Sequence, residues 1–395
     1  MRSQGSAFRL FLFLAVVLGV GAAASPASAV RPDSQAVLSP IDFQILNRPA
    51  PVRGADDRRH MVYEIQAVNQ SGMDVQIRKV APRAQGNRLG LPFTGDRLES
   101  RMRINSGASG TTLGPGGSAM IFIDASYGLA RRTPKAISNA ISLAWDDTAS
   151  AGDVVRQTFI GVSTRVSRQK PVVLSPPLRG AKWVAVNGCC SMNPHRGATL
   201  AIDGTVRVPE RFAIDFVQLN RQDRLFSGPL NDPFSYGYYR TPVFAAAPGR
   251  VVGVKRHLPE QVPGSLPDGA TIQMAGGNYV VVNIGHGRYA FYAHLATNSV
   301  RVKRGQKVRT GQIIGLLGNT GNTDGPHLHF HVMNSPSPLQ SSGLPFVFRG
   351  FRGQGFLRNV VGIQAGEIGN IDRRRLRGRY RNVLPMEDQI VRFGR

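Results

Sequence analysis

The sequence predicts a mostly β protein built from two β regions in series. Three observations point there. Gly occurs 45 times and Pro 26 times, so turns are frequent. Between them, short runs of Val, Ile, Tyr and Phe alternate with polar residues, the period of half-buried strands. No long amphipathic helix and no sustained heptad repeat interrupts this texture. At 395 residues the chain is too long for one ordinary domain and suits two or three. Hydrophobic residues make up 42% of it, enough for real cores.

Residues 1–29 read as a secretory signal. The start MRSQGSAFR carries two positive charges and no acid, the run LFLFLAVVLGVGAAA follows, and Ala27, Ser28 and Ala29 supply a small-residue cleavage site. The alternative is an uncleaved anchor, for which the apolar run is short. No later segment is apolar enough to cross a bilayer, so the mature chain is expected outside the cytoplasm, periplasmic or extracellular, without a membrane span. Net charge is +25, and losing Arg2 and Arg9 with the signal leaves 25 − 2 = +23. An exported protein so basic is drawn to anionic partners such as cell-wall polymers or lipid headgroups. No nucleic-acid recognition motif is present. The only cysteines, Cys189 and Cys190, are adjacent, which excludes a zinc knuckle and leaves two thiols or a vicinal bridge.

The first region, residues 30–166, contains the strand-like stretches MVYEIQAVN, MDVQIRKVA, SAMIFIDASY, AISLAW and VRQTFIGVSTRV. Turn signals such as Asn69-Gln70-Ser71-Gly72 and Gly114-Pro115-Gly116-Gly117 separate them. Short strands at this spacing suggest an antiparallel, immunoglobulin-like β-sandwich. It holds one histidine, His60, and no ligand cluster, so a supporting or wall-binding role is expected. Residues 167–180 carry Pro171, Pro176 and Pro177 and read as a stiff linker. The second region is expected at 181–350, followed by a basic extension, 351–395, whose run RRRLRGRYR should lie on the surface.

The chemistry concentrates in the second region. Seven of the eight histidines follow residue 194, and five lie between His286 and His331. In GPHLHFHV, His327, His329 and His331 alternate, so on a strand they share one face. Three imidazoles on one face suit a metal better than a core. His294 ends the strand-like YAFYAHL, and VKRGQKVRTGQIIGLLGNTG places Gly between short β runs, as in a compact barrel-like sheet. Asp215, in RFAIDF, is flanked by apolar residues and needs a partner or a metal, because an unpaired buried charge is costly.

These strings together, from PVFAAAPGRVV through GGNYVVVNIGHG, YAHL and GQIIGLLGNTG to GPHLHF, resemble the lysostaphin-type (LytM-like) zinc metallopeptidases over roughly residues 181–335. The resemblance implies an antiparallel β catalytic domain, a Zn2+ cofactor and peptidoglycan peptides as substrate. It implies Asp215 and His329 as zinc ligands and His294 with His327 as the catalytic pair. One position departs from the pattern: four residues before Asp215, where the family has histidine, stands Arg211, whose guanidinium offers no lone pair.

His195 is the expected replacement ligand. If Ile202-Asp203-Gly204 is a three-residue hairpin loop, facing residue numbers sum to 406 and His195 meets Arg211 on the face of Asp215. A two-residue Asp203-Gly204 loop sums to 407 instead, putting His195 opposite Phe212 on the wrong face. A bulge at Pro209 would shift either register. His331 reads as a neighbour of the site or as exposed, and His286 and His257 as turn and loop residues. Two other readings compete with a zinc endopeptidase. A catalytically degenerate wall-binding protein or amidase activator is suggested by Arg211. A lipoyl or biotin carrier leaves the histidines unexplained.

Overall fold

Alternation in the first region translates into two facing sheets. A computed structural model describes residues 37–146 and 152–394; the expected signal segment lies outside the described residues. In the first sheet the strand Arg58–Asn69 lies between Ile41–Ile45 and Ser118–Gly128. In the second, Ala136–Asp146 lies between Val75–Ala84 and Val154–Arg165. Met61, Tyr63, Ile65 and Ala67, every second residue of one strand, face Ile77, Val80, Ile141 and Leu143 of the other sheet in one apolar core. Two sheets sharing a core make a sandwich.

Three of the intervening residues of Arg58–Asn69, His60, Val62 and Glu64, are buried as well. His60 and Glu64 are among the buried charged groups, and Val62 belongs to the larger core of the second region, together with Val52 and Ala55. The sandwich therefore gives its second face to its neighbour, and residues from Pro40 onward cluster as one compact unit.

In that second region an eleven-stranded sheet runs through the middle. Four of its consecutive strands are Tyr289–Leu295, Leu328–Met333, Ile214–Gln218 and Gly180–Val186, all antiparallel neighbours. Leu328, Phe330 and Val332 point into the main core with Trp183, Phe216 and Tyr292, leaving the histidines of the same strand to the other face. On that face Val281, Phe291, Ala293 and Met333 form a small apolar cluster.

Two segments differ from expectation. Residues 167–180, read as a linker, are packed: Val172–Leu174 pairs in parallel with Phe346–Phe348, and Leu174 and Leu178 lie in the core. Its prolines interrupt pairing without preventing burial of Leu174 and Leu178. Residues 351–395, read as a surface extension, contribute Phe351–Leu357, Ile371–Tyr380 and Gln389–Phe393 to the large sheet, the last pairing with Gly180–Val186. Phe351, Ile390 and Phe393 supply the apolar anchor, while most of the Arg373–Arg379 run stays exposed on the edge strand. Charged edges of this kind discourage further strand pairing.

Candidate metal centre

Strand register brings the acid and the second histidine of H-x-H together. Asp215 lies directly across from His329, and His329 directly across from Ala293. Directly opposed residues of an antiparallel pair project on the same face. His329 Nδ1 is 3.0 Å from Asp215 Oδ1.

His195 reaches the same carboxylate by a different route from the one expected. The hairpin pairs Ile202 with Thr205 and Leu200 with Arg207, a sum of 407, and ends there. Asp203 and Gly204 both have positive φ, 50° and 70°, the two-residue turn that matches strand twist. The 406 register is thus incorrect, and His195 is in no strand at all. It sits on a one-turn helix, Pro194–Gly197. Asn193 caps this turn by accepting from the Arg196 amide, and Pro194 takes the first position, the arrangement that Asn-Pro favours. From there His195 Nε2 lies 3.1 Å from Asp215 Oδ2.

One ligand atom from each of His195, Asp215 and His329 lies within 4.8 Å of the others, and all three residues are buried. A second group, His294, His327 and His329, meets the same criterion and shares His329. Of these two only the first contains a carboxylate; a third group, His60, Asp124 and Cys190, also meets the criterion, but the Cys190 sulfur is held in a disulfide with Cys189.

The surroundings orient each ring. His195 Nδ1 donates to the Asn187 carbonyl at 2.9 Å, turning Nε2 toward Asp215. Asn187 Nδ2 donates to Asp215 Oδ2 at 2.8 Å. His294 Nδ1 donates to the Thr320 carbonyl at 2.7 Å, and His327 Nδ1 to the Gly325 carbonyl at 2.9 Å. His329 Nε2 meets His331 Nδ1 at 2.9 Å, and His331 Nε2 is buried with no hydrogen-bond partner among the described residues. Such outer partners fix tautomers and ring orientation at metal sites. His331 is therefore neither exposed nor against Asp215; it backs His329.

His294 owes its aim to a bulge. Pairing jumps from Asn278 opposite Leu295 to Val280 opposite Tyr292, leaving Ala293 and His294 against Tyr279 alone. His294 takes φ 56°, uncommon for a residue with a side chain. Bulges re-aim side chains beside active sites. Here the bulge sets the His294 ring 4.5 Å from that of His327 and 5.8 Å from that of His329, centre to centre.

Charge follows environment. Burial disfavours a cation at His195, but Asp215 overrides it and raises the imidazole to about 9. Asp215 is pushed upward by burial and, more strongly, downward by His195 and His327, ending well below the usual carboxylate range. His294 has no such partner: burial, then His327 and His329, hold it well below the usual imidazole value. Beside the cluster opens a pocket of about 170 Å³ whose walls include Asn187, Asp215, His327, Tyr236, Tyr238 and Ile363.

The remaining histidines stand apart. His286 is in a turn with φ 54°, and exposed His257 bonds Asn298. Cys189 and Cys190 form a disulfide in the loop before the His195 turn. His60 was expected to be isolated, yet both its ring nitrogens meet carboxylates, Asp124 and Asp56, each at 3.1 Å. The second of those is four residues earlier in sequence and was a visible signal; Asp124 was not.

Carried on one helical turn and two adjacent strands, this His and Asp set is one that could hold a metal ion. Residues 236–341 match peptidase family M23, and the chain carries a Peptidase M23 domain. His294, His327 and His329 fall inside the matched segment, whereas His195 and Asp215 precede it. The peptidoglycan DD-endopeptidase ShyA of Vibrio cholerae is 37% identical over 101 residues, 26% of this chain and 19% of ShyA. ShyB of the same organism, also a peptidoglycan DD-endopeptidase, is 34% identical over 106 residues, 26% of this chain and 21% of ShyB. The chain thus spans about a fifth of the length of these relatives. The catalytic domain of lysostaphin from Staphylococcus simulans overlaps 41% of this chain and 88% of that domain, at 24% identity and a TM-score of 0.23.

Proposed function

We propose that this protein is an exported, zinc-dependent endopeptidase that hydrolyses peptide cross-links of bacterial peptidoglycan. The observation that carries the reading is the convergence of His195, Asp215 and His329 on one point, from a turn and two adjacent strands. Two imidazoles and a carboxylate are a known zinc-binding set, and three protein ligands leave a position open for chemistry. The donor set fits: His195 and His329 each have one ring nitrogen engaged behind them and the other turned to Asp215.

Zinc bound there supplies Lewis-acid activation of water and of the scissile carbonyl. His294 is neutral at ordinary pH, and its Nδ1 proton is committed to Thr320, so Nε2 is free to accept a proton from the attacking water. His327, with Nδ1 committed to Gly325, presents Nε2 for a proton to stabilise developing charge or to pass to the leaving amine. Burial of the cluster keeps bulk water away from these transfers. The pocket against Asp215 and His327 is the place for the substrate peptide. Excess positive charge draws the enzyme to the anionic wall.

The rival is a non-catalytic wall-binding protein or amidase activator, favoured by Arg211. Arg211 has a separate explanation, because its guanidinium is bound to buried Glu64 rather than facing Asp215. Metal analysis of the purified full chain, with chromatography of digested peptidoglycan, separates the two. The enzyme binds about one zinc per chain and releases cross-link peptides; a chain that binds zinc and releases none is the degenerate protein.

A further inference from the structure

Glu64 is wholly buried, 147 residues before Arg211, and belongs to the sandwich. Two guanidiniums from the second region close on it. Arg211 donates through Nε to both carboxylate oxygens at 3.1 Å and through Nη2 to Oε2 at 2.7 Å. Its other bonds go to the Gly343 carbonyl and Asn47. Arg196 donates through Nη1 to Oε1 at 2.6 Å. The rest of the Arg196 guanidinium also meets the sandwich, with Nη2 3.5 Å from the Ile123 carbonyl and the group 5.5 Å from the Phe122 ring centre.

Arg196 is the residue after His195, on the same four-residue turn. A helix this short cannot hold itself in place. Apart from its cap, its backbone bonds run from Gly197 to Asn193, from Ala198 to His195 and from Thr199 to Gly197, all within a few residues of the turn. Its position against Asp215 must come from side chains. On one side these are Asn193, which donates to the Gly188 carbonyl, and His195 itself. On the other side stands the grip of Glu64 on Arg196.

We propose that Glu64 is a positioning residue of the metal centre. By holding Arg196 it sets the Pro194–Gly197 turn where His195 meets Asp215, and by holding Arg211 it draws the residue at the substituted ligand position away from the site. The sandwich is then part of the centre and not an accessory, and the ligand missing at position 211 is supplied by a turn that the sandwich anchors. This rests on the reading of His195 as a zinc ligand.

A double-mutant cycle on the full-length chain tests it. Zinc affinity is measured by chelator competition for the native protein, Glu64→Gln, His195→Ala and the double variant, with thermal unfolding of each metal-free protein alongside. Loss of an outer partner of a metal ligand costs roughly 10- to 100-fold in affinity. Glu64→Gln should lose that much in the native background and less than about twofold when His195 is already gone. Equal losses in both backgrounds, or no loss, overturn the proposal. His195→Ala with native affinity overturns the ligand reading instead, which keeps the two failures distinct. If Glu64→Gln does not unfold cooperatively, Arg196→Met replaces it in the cycle: it releases the turn while leaving Glu64 paired with Arg211, and the same outcomes decide.

Discussion

Two buried clusters in this protein use the same residue types in opposite proportion. Around His60 there is one imidazole between two carboxylates, Asp56 and Asp124. Around Asp215 stand three imidazoles, His195, His327 and His329, with a second carboxylate, Glu210, farther out at 3.8 Å from His329. In the first, both ring nitrogens face a carboxylate, so the imidazole donates from both as the cation. In the second, imidazole nitrogens outnumber the acid, and protonating them all would crowd positive charge into a buried space. Burial opposes charge on His60, but Asp124 and Asp56 outweigh it and raise the imidazole to about 10. The acid-rich cluster has the make-up of a structural ion pair, and the imidazole-rich one is where the proposed metal would sit. Proportion, not residue type, separates them.

Substitutions can break that comparison, and the largest effect belongs to the donor-rich cluster. His329→Ala and Asp215→Ala should each abolish retention of zinc through dialysis and with it detectable wall digestion; zinc kept by His329→Ala would count heavily against the assignment. His294→Ala comes next. It should hold zinc as the native chain does while turnover falls roughly 100- to 10,000-fold, the usual contribution of one acid–base group. Metal content and digestion rate, measured on one preparation, check both.

The acid-rich cluster should respond in stability alone. His60→Ala leaves two carboxylates facing each other without their cation. Breaking buried pairs costs about 3–5 kcal/mol, and roughly 2 is expected here because Asp56 remains 28% exposed. Zinc content should not change; denaturant unfolding and metal analysis read the two quantities separately. The smallest effect is on pH. Since the folded value, about 10, lies above the ordinary 6.5, the contribution of His60 is fully present below about pH 6.5. It is lost as pH rises through 10. Unfolding midpoints between pH 6 and 10.5 should therefore decline more steeply for the native chain than for His60→Ala, and parallel slopes would remove His60 from the account.

Much of the centre was legible in the residues. The alternation of His327, His329 and His331 placed them on one strand face; the link of Asp215 to His329 came from the resemblance, and the strands do set those two opposite each other. His195 was offered because the resemblance puts histidine where Arg211 stands; its ring does lie beside Asp215, but the register offered for it was incorrect. Hairpin arithmetic assumed that the strands ran on to residue 195, whereas Asn193 and Pro194 start a helical turn. The mostly β character was equally readable from alternation and turns. What escaped was pairing across long separations. Nothing near Glu64 announces two arginines 132 and 147 residues away, and Asp124 is 64 residues from His60. The same limit made residues 167–180 look like a linker and 351–395 like an extension, because their composition is polar while their few apolar residues decide where they pack.

The most direct test is diffraction from zinc-loaded crystals at the zinc absorption edge. The account predicts one anomalous peak per chain, about 2.0–2.2 Å from nitrogens of His195 and His329 and an oxygen of Asp215. A peak held by the second histidine group without Asp215, or none in this cluster at all, would contradict it.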